Sequence, residues 1–366
     1  MNNSKLRIVG TPTGADEQDV KSARPVPHPT ATGPARAPLR LSRRVIRVGD
    51  HRVGVAAAGR GIPLVMVHGF GVESMLYAQT MARTAALGFR VIALDIAGHG
   101  ESQAIRWLPN LDDYVDLLDT AIEQLGITRA VLMGHSMGGR IVSELTARRP
   151  ERTMALVLLD PIVGAQWDAM RPWLRWCPPA LGAYGIGGAI DVLSTLPALV
   201  DARQAIKIGR QVRRSIFNLV SEPWNGLIAG AAVLRAAPST DTLDAVRAAN
   251  VPSVVVHGNA DLLVPQAAAL DAAHRLDATY VSVLGGRHSW MIRDPEALPA
   301  MLEELLQGAL GRALHNAGVS DAMTADQRWA SCTNVAAQHE QVGDGVDLEV
   351  IVHSQRKAPH LRFAIA

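Results

Sequence analysis

A serine in a glycine-rich turn carries the strongest chemical signal in the sequence. The run GHSMG at 134–138 directly follows an apolar stretch at 130–133 and directly precedes a helical pattern that ends near Arg148. A strand-to-helix turn of the G-x-S-x-G type holds its serine in a strained backbone conformation and exposes the hydroxyl at the carboxyl edge of a sheet. The sequence therefore predicts Ser136 as a nucleophile.

A serine hydroxyl is a weak nucleophile that needs a base, and the chain offers 12 histidines for this role. His288 lies in the run GGRHSW at 285–290, just past the last predicted strand, where a loop returns to the carboxyl edge of the sheet. The other histidines fall in glycine-rich turns, at a strand end, within a helical pattern or towards the chain ends. His288 is therefore the predicted general base.

The base needs a carboxylate that orients it, and two aspartates follow predicted strands. Asp261 comes after the apolar run at 254–256, whereas Asp160 directly follows the run at 156–159. Asp261 is the predicted acid, and the order Ser136, Asp261, His288 is the one expected for this hydrolase arrangement. Asp160 remains the rival, because a carboxylate at that strand end reaches the same imidazole; the duller interpretation of Asp160 is a structural contact with loop amides.

The run HGFG at 68–71 follows another apolar strand run and supplies the second half of an acyl-transfer site. A tetrahedral intermediate needs preorganised hydrogen-bond donors for its oxyanion. The backbone N–H groups of Phe70 and of Met137, the residue after the nucleophile, are the predicted donors. A helix that begins just after Ser136 also directs its amino-terminal N–H groups at developing negative charge.

Short apolar runs alternate with amphipathic helical patterns, and this alternation predicts the scaffold that positions these residues. Several of the strand runs are continuous in Val, Ile and Leu, as expected for strands that are buried on both faces of a parallel sheet. The eight strand candidates are 45–48, 52–57, 63–67, 90–94, 130–133, 155–159, 252–256 and 280–284. The predicted class is α/β, with a doubly wound, mostly parallel sheet and right-handed crossovers.

The alternation breaks between 161 and 250, where the chain has helical and loop patterns only. An insertion that forms a helical cap over one end of the sheet explains this break, and it leaves 41–160 and 251–311 as the core domain. Residues 1–40 are rich in proline and lack hydrophobic periodicity, so we predict a disordered leader. Residues 312–366 are predicted as a poorly ordered tail, in which 346–352 is a strand candidate.

Charge and cysteine content exclude several classes of protein. The formal net charge is +2, so nothing global indicates nucleic-acid binding. The two cysteines, Cys177 and Cys332, make neither a metal-ligand nor a redox spacing, so no metal site is predicted and a reducing compartment fits. The start of the chain lacks a signal-peptide pattern, and the most apolar segment, 180–200, is interrupted by glycines, Asp191 and Pro197. A cytoplasmic protein without a membrane span is the expectation.

Taken together, the motifs make the chain similar to the α/β-hydrolase family of serine hydrolases, of the esterase and lipase type. The resemblance covers about residues 43–310 and rests on HGFG (68–71), DIAGHGES (95–102), GHSMGG (134–139), HGNAD (257–261) and GGRH (285–288). It implies an eight-stranded, mostly parallel sheet with helices on both faces, a helical cap inserted after the sixth strand, and cofactor-free catalysis through an acyl-enzyme. Epoxide hydrolases and haloalkane dehalogenases of this scaffold use an aspartate at the turn, so Ser136 argues against both.

These residues predict hydrolysis of a carboxylic ester of an apolar small molecule or a lipid. The predicted substrate-binding residues are Gly69, Trp167, Trp173 and Trp290, because apolar and aromatic side chains near the site form the walls of an acyl pocket. Three alternatives stay open. They are a carbon–carbon bond hydrolase of ring-fission products, an acyltransferase or thioesterase, and a non-catalytic binding protein that kept the fold.

A basic amphipathic pattern at 203–214 adds a hypothesis about partners. Arg203, Lys207, Arg210 and Arg214 recur at helical spacing opposite an apolar face. Such a helix contacts an anionic membrane surface weakly, or it is the solvated face of a cap helix. The second interpretation is the more common one for such a stripe. The sequence does not indicate an oligomeric state.

Overall fold

A sheet of ten strands runs through the computed structural model, which describes residues 40–105, 108–195, 223–319, 346–349 and 361–365. The spatial order is β10-β8-β7-β6-β5-β3-β4-β2-β1-β9. In chain order the strands are β1 (Arg40–Val48), β2 (His51–Ala58), β3 (Ile62–Val67), β4 (Phe89–Leu94), β5 (Ala130–His135), β6 (Thr153–Leu159), β7 (Ser253–Gly258), β8 (Thr279–Leu284), β9 (Val346–Glu349) and β10 (Arg362–Ile365).

The six central strands, β3 to β8, are parallel, and the outer strands pair antiparallel. Strand β3 pairs with β4 on one side and with β5 on the other, so the order of the strands reverses at this point of the sheet. Ligands of open α/β sheets bind in the crevice at such a reversal, outside the carboxyl ends of the strands. The loops that contain HGFG and GHSMG both begin there, after β3 and β5.

Helices cover both faces of the sheet. They are α1 (Ala78–Ala85), α2 (Leu111–Gln124), α3 (Met137–Arg148), α4 (Ala165–Trp176), α5 (Pro178–Thr195), α6 (Pro223–Arg235), α7 (Ser239–Ala248), α8 (Gln266–Leu276), α9 (Trp290–Arg293), α10 (Ala297–Leu306) and α11 (Ala309–Asn316), with short 3-10 helices at Ser74–Tyr77 and Pro150–Arg152. Helices α2, α3, α7 and α8 contribute to one hydrophobic layer, and α1, α10 and α11 to the other.

Strand β5 explains why the central strands read as continuous apolar runs. Leu132 packs into the layer that contains α3, whereas Val131 and Met133 pack into the opposite layer. Because successive side chains of a strand point to opposite faces, a strand between two layers needs apolar residues at every position. Each fully buried aliphatic side chain of this kind contributes about 1.5–3 kcal/mol. The predicted α/β class with a mostly parallel sheet is confirmed.

The number of strands differs from the expected eight, because two strands near the carboxyl terminus join the sheet. Strand β9 pairs with β1 and β10 pairs with β8, so the described parts of the predicted tail lie at the two edges of the sheet. In β10, Phe363 is buried in the hydrophobic layer that contains α10. Strand β9 lies within the strand candidate 346–352, whereas β10, with four residues, is too short for alternation to mark it clearly in a sequence.

The segment between β6 and β7 contains the helices α4 to α7. Helices α4, α5 and α6 contact one another through α4, whereas α7 packs between α3 and α8 in the layer on the sheet. Among the described helices, none combines the length and the hydropathy that a membrane crossing requires. The predicted basic pattern at 203–214 and the predicted leader lie outside the described residues, and the domain boundaries remain predictions.

Candidate active site

Ser136 occupies the sharp turn between β5 and α3. Its backbone has φ 54° and ψ −116°, a left-handed conformation that costs free energy for a residue with a side chain. The Ser136 N–H donates to the Leu159 carbonyl at 2.9 Å, and its own carbonyl accepts from Ile162 at 3.3 Å. These bonds to the chain after β6 hold the turn in its strained form, as the G-x-S-x-G pattern predicts.

Two glycines let the turn pack closely against its surroundings. A Cβ atom at Gly138 would overlap the carbonyl oxygens of Val67 and His68, and one at Gly134 would overlap the carbonyl of Gly138. The start of α3 therefore lies directly against the end of β3. The Met137 N–H belongs to the first turn of α3 and so has no partner within the helix, and its place beside the Phe70 N–H stays a prediction.

His288 and Asp261 form the expected pair. The His288 Nδ1 atom lies 2.7 Å from Asp261 Oδ2, and both side chains are almost completely buried. The other carboxylate oxygen of Asp261 accepts from the N–H groups of Leu263 at 2.7 Å and Val264 at 3.1 Å. The carboxylate is therefore fixed by its own loop, and it leaves the second imidazole nitrogen, Nε2, available for the nucleophile.

The electrostatics of the pair favour an imidazolium next to a carboxylate. Burial alone lowers the pKa of His288, but the charge and the hydrogen bond of Asp261 outweigh it and raise that pKa to about 9. Burial alone raises the pKa of Asp261, and the charge of His288 reverses this effect, so the pKa of Asp261 lies below its usual range. The arrangement therefore stabilises the charge that His288 acquires when it removes a proton.

Asp160, the rival acid, has other partners. Its carboxylate accepts from the Gly258 N–H at 2.7 Å and from the Trp290 indole N–H at 2.6 Å. Burial and the nearby charge of Asp261 raise the pKa of Asp160. Trp290 was predicted to bind substrate, but it is 1% exposed and bonded to Asp160. Its indole N–H serves a buried carboxylate, and its contact with substrate stays a prediction.

The structure does not bring Ser136 and His288 into a hydrogen bond. In the described part of the chain, their contact is indirect: the ring of His288 lies 4.8 Å, centroid to centroid, from the ring of His135, which directly precedes the nucleophile. Catalytic hydrogen bonds are often long before substrate binds and tighten in the substrate complex. The His288–Asp261 contact is thus formed, and the Ser136–His288 contact stays a prediction.

A buried hydrogen-bond chain, which sequence reasoning missed, supports the catalytic loop. The Nε2 atom of His135 lies 2.9 Å from the His288 carbonyl, and its Nδ1 atom lies 2.8 Å from the Tyr77 hydroxyl. A carbonyl only accepts, so Nε2 must donate and Nδ1 must accept from Tyr77. Burial lowers the pKa of His135 to about 3, which agrees with a single ring proton. His135 stands at the variable position of GHSMG, but nothing in the sequence marks Tyr77.

The loop after β3 is oriented by His68. Its Nε2 accepts from the Ile96 N–H at 2.9 Å, so its Nδ1 donates to the Gly69 carbonyl at 2.7 Å. Burial lowers the pKa of His68 and keeps it neutral, as this pattern requires. The Gly69 carbonyl and the Phe70 N–H belong to one planar trans peptide and point in opposite directions. His68 therefore fixes the direction of the N–H that is predicted to hold the oxyanion.

The other predicted substrate-binding residues occupy different environments. Gly69 borders the nucleophile, since a Cβ atom there would lie 3.1 Å from Ser136 Cβ. Trp167 is buried against Tyr184 of α5, with 6.2 Å between ring centroids. Trp173 is 69% exposed, and its role as a wall of the acyl pocket stays a prediction.

Helices α5 and α6 lie against the loops of the site. On α5, Asp191 accepts from the Ser289 N–H at 3.4 Å, next to His288. On α6, Gly230 packs against Phe70, since a Cβ atom there would lie 3.6 Å from the ring. The segment inserted after β6 thus contacts both the loop of the base and the loop of the predicted oxyanion donor.

One group of three side chains in the described residues is compact enough to hold a metal ion: Asp160, Asp261 and His288. Their ligand atoms already have protein partners, because Asp160 accepts two N–H bonds and Asp261 is paired with His288. A nucleophile–base–acid arrangement accounts for these contacts without a metal ligand set. Proton removal from Ser136 by His288 and the stabilisation of an oxyanion by Phe70 and Met137 stay predictions.

Comparisons with known proteins agree with this geometry. The sequence profile of the family described as serine aminopeptidase, S33, matches residues 62–296. A protein of Mycobacterium phage D29 that is named as a non-heme haloperoxidase is 34% identical over 257 residues, 69% of this chain and 90% of that protein. The monoacylglycerol lipase of Mycolicibacterium smegmatis is 29% identical over 255 residues, 65% of this chain and 84% of the lipase.

Among solved structures, the esterase RhEst1 from Rhodococcus sp. ECU1013 is similar to this chain with a TM-score of 0.56 and 22% identity. The match covers 73% of this chain and 99% of the esterase. At this identity the likeness shows the fold alone.

Proposed function

This chain belongs to the serine aminopeptidase S33 family of α/β hydrolases, and we propose that Ser136 is the nucleophile with which it cleaves carboxylic esters of apolar small molecules or lipids. The observation that carries the proposal is the buried His288–Asp261 pair, 2.7 Å apart, at the same sheet edge as a strained serine turn. The relative that is named as a monoacylglycerol lipase supports ester chemistry.

The proposed reaction begins with attack by Ser136 Oγ on the ester carbonyl. His288 Nε2 takes the hydroxyl proton, while Asp261 holds the Nδ1–H and thereby the productive tautomer. The N–H groups of Phe70 and Met137 hold the oxyanion of the tetrahedral intermediate. His288 then gives its proton to the leaving alcohol. Water, deprotonated by His288, attacks the acyl-enzyme and releases the acid, and no cofactor enters any step.

Helices α4, α5 and α6 are proposed to form the cap that selects the substrate. Their contacts with Ser289 and Phe70 support this role, because a segment that touches both loops borders the space for the acyl group. The proposed substrate-binding residues remain Gly69, Trp167, Trp173 and Trp290. A cytoplasmic location and a contact of the cap with a membrane surface are also proposals, the first from the sequence alone.

A panel of nitrophenyl esters of graded chain length tests the proposed function. The native protein is expected to turn over these esters with an optimum at one chain length, since a pocket of fixed size accommodates a limited acyl group. In Ser136→Ala the rate is expected to fall by about 10⁴-fold or more, because the nucleophile is lost. Initial rates of nitrophenol release are the measurement.

Parallel thioesters, dienoic ring-fission substrates and an acceptor alcohol distinguish the alternative reactions. All of them use the same acyl-enzyme site, so Ser136→Ala abolishes each one, and only the preferred substrate identifies the reaction. Equal ester turnover by the native protein and by Ser136→Ala would remove Ser136 from the reaction. Absence of turnover on every substrate would favour a non-catalytic binding protein.

A further inference from the structure

Large apolar side chains that face water are concentrated on one part of the molecule. Ten such side chains are exposed in the described residues, and seven of them lie on α4, α5 and α6. We call the five most exposed of these seven the apolar face: Trp173, Trp176, Ile186, Trp224 and Leu227. Monomeric soluble proteins rarely expose many large apolar side chains on one group of helices, so a concentration of this kind marks an interaction site.

The exposed charged side chains of the described helices α4, α5 and α6 are all of one sign. Helix α5 contains no Lys, Arg or Glu, and its one acidic residue, Asp191, is buried. On α4 and α6 the exposed charged residues are Arg175 and Arg235, while Asp168 is turned inward towards Ser239. The guanidinium of Arg175 lies 4.7 Å from the ring centroid of Trp176. Apolar side chains bordered by arginines complement a surface that is apolar inside and anionic outside.

The apolar face adjoins the candidate active site. Its helices pack against Phe70 through Gly230 of α6, and against Leu263, which follows the catalytic acid, through Gly187 of α5. Two more of the exposed apolar residues, Phe70 and Leu262, stand on these site loops. The helices that carry the apolar face therefore contact two loops of the candidate site, beside two further exposed apolar residues.

We propose that the apolar face docks on the anionic surface of a lipid bilayer or lipid aggregate, so that a lipid ester enters the site directly from that surface. The identity of the occupant rests on the proposed ester hydrolysis and on the sign of the exposed charges. Tryptophan and arginine are favoured together at the level of lipid headgroups, where the ring is partly desolvated and the cation meets phosphate. A second copy of this chain would instead require acidic residues opposite Arg175, and the exposed positions of the face have none.

The test is sedimentation of the full-length protein with vesicles of diether phospholipids, which contain no ester bond. Vesicles of phosphatidylcholine alone are compared with vesicles that also contain phosphatidylglycerol. The triple variant Trp176→Gln, Ile186→Gln, Trp224→Gln changes one residue on each helix. The control is Leu108→Gln, which changes an apolar residue that is 79% exposed but lies outside the apolar face.

The native protein is expected to bind the phosphatidylglycerol vesicles. The triple variant is expected to bind them at least about tenfold more weakly, because three apolar side chains no longer leave water on binding. Leu108→Gln and Ser136→Ala are expected to bind like the native protein. Turnover of a soluble short-chain nitrophenyl ester should be unchanged in the triple variant. Vesicle sedimentation tests docking, and ester turnover tests the proposed function. A failure of one measurement therefore leaves the other proposal standing.

Three outcomes would overturn the inference. The first is native protein that stays in the supernatant with both kinds of vesicle. The second is equal binding to vesicles with and without phosphatidylglycerol, which would contradict docking on an anionic surface. The third is a native dimer in light scattering that the triple variant converts to a monomer, because the apolar face would then cover a second copy.

Discussion

Two buried carboxylates lie within reach of one imidazole, and their hydrogen-bond donors assign them different roles. Asp261 accepts from His288, whereas Asp160 accepts from Gly258 and Trp290. Two negative charges so close together in a low-dielectric site repel each other, so one carboxylate must be the weaker acid. The raised pKa falls on Asp160, which leaves Asp261 as the charge that stabilises the imidazolium.

The rate–pH profile of Asp261→Asn should report this charge. His288 acts as a base only when neutral, so kcat/KM rises as pH rises through its pKa. Asp261 raises that pKa, so the midpoint of the native profile lies above the ordinary value, 6.5, and the variant shifts it to lower pH. The plateau rate of the variant should fall by about 10³–10⁴-fold, because the tautomer is no longer fixed.

Asp160→Asn is the matched control for this experiment. It removes the second carboxylate but leaves the His288–Asp261 bond intact. The amide that replaces the carboxylate has one oxygen and one NH₂ group, so one of the two N–H donors that the carboxylate now accepts would face another donor. The free energy of unfolding should therefore fall by about 1–3 kcal/mol, while the rate changes far less. Thermal melting and kcat separate the two effects. A larger loss of rate in Asp160→Asn than in Asp261→Asn would make Asp160 the catalytic acid.

At the scale of single residues, the sequence indicates the predicted catalytic residues better than the buried residues that hold them in place. Ser136, Asp261 and His288 stand out because each follows a strand run in the expected chain order. Trp290 follows His288 directly and so was assigned to the substrate, although its position relative to Asp160 depends on contacts across 130 residues of chain. Long-range pairs of this kind leave no local pattern in one sequence.

Between elements, a chain of hydrogen bonds connects the 3-10 helix before α1, the end of β5 and the loop after β8. Tyr77 donates to His135, and His135 donates to the carbonyl of His288. The backbone of the base is thus attached to the residue that precedes the nucleophile. This chain sets the distance between the two reacting groups without touching the substrate, so Tyr77 and His135 are positioning residues.

Tyr77→Phe should lower kcat by about tenfold and leave KM nearly unchanged, because a loosened His288 reacts more slowly but the binding surface is intact. Tyr280→Phe is the control: its hydroxyl also takes part in a side-chain hydrogen bond, from Gln266, but it lies towards the amino end of β8. Steady-state kinetics and melting temperatures are measured for both variants. Equal losses of kcat in the two would reduce the role of Tyr77 to general stability.

The eight predicted strands correspond to β1 to β8, because each has enough consecutive apolar or alternating residues to reveal its period. The helical patterns after β3, β4, β5 and β7 likewise correspond to α1, α2, α3 and α8. Strands β9 and β10 are different: their pairing at the sheet edges depends on partners 300 and about 80 residues away in the chain. Tertiary contact, rather than local propensity, forms them.

For the whole molecule, the parallel sheet explains why distant parts of the chain meet. Loops after β3, β5, β6, β7 and β8 all leave the same edge, and they supply the predicted oxyanion donors, Ser136, Asp160, Asp261 and His288. The α/β class could be predicted because strand runs and helical patterns alternate along most of the sequence. The apolar face could not, since the helical pattern of α5 does not reveal which of its residues remain uncovered.

Labelling with a fluorophosphonate probe, followed by peptide mass spectrometry, tests the central claim most directly. The probe reacts with a serine whose hydroxyl is activated by a neighbouring base. We expect one adduct, on Ser136, in the native protein, none in Ser136→Ala, and labelling slowed by about 10³-fold or more in His288→Gln. An adduct on another serine, or labelling of His288→Gln at the native rate, would contradict activation of Ser136 by His288.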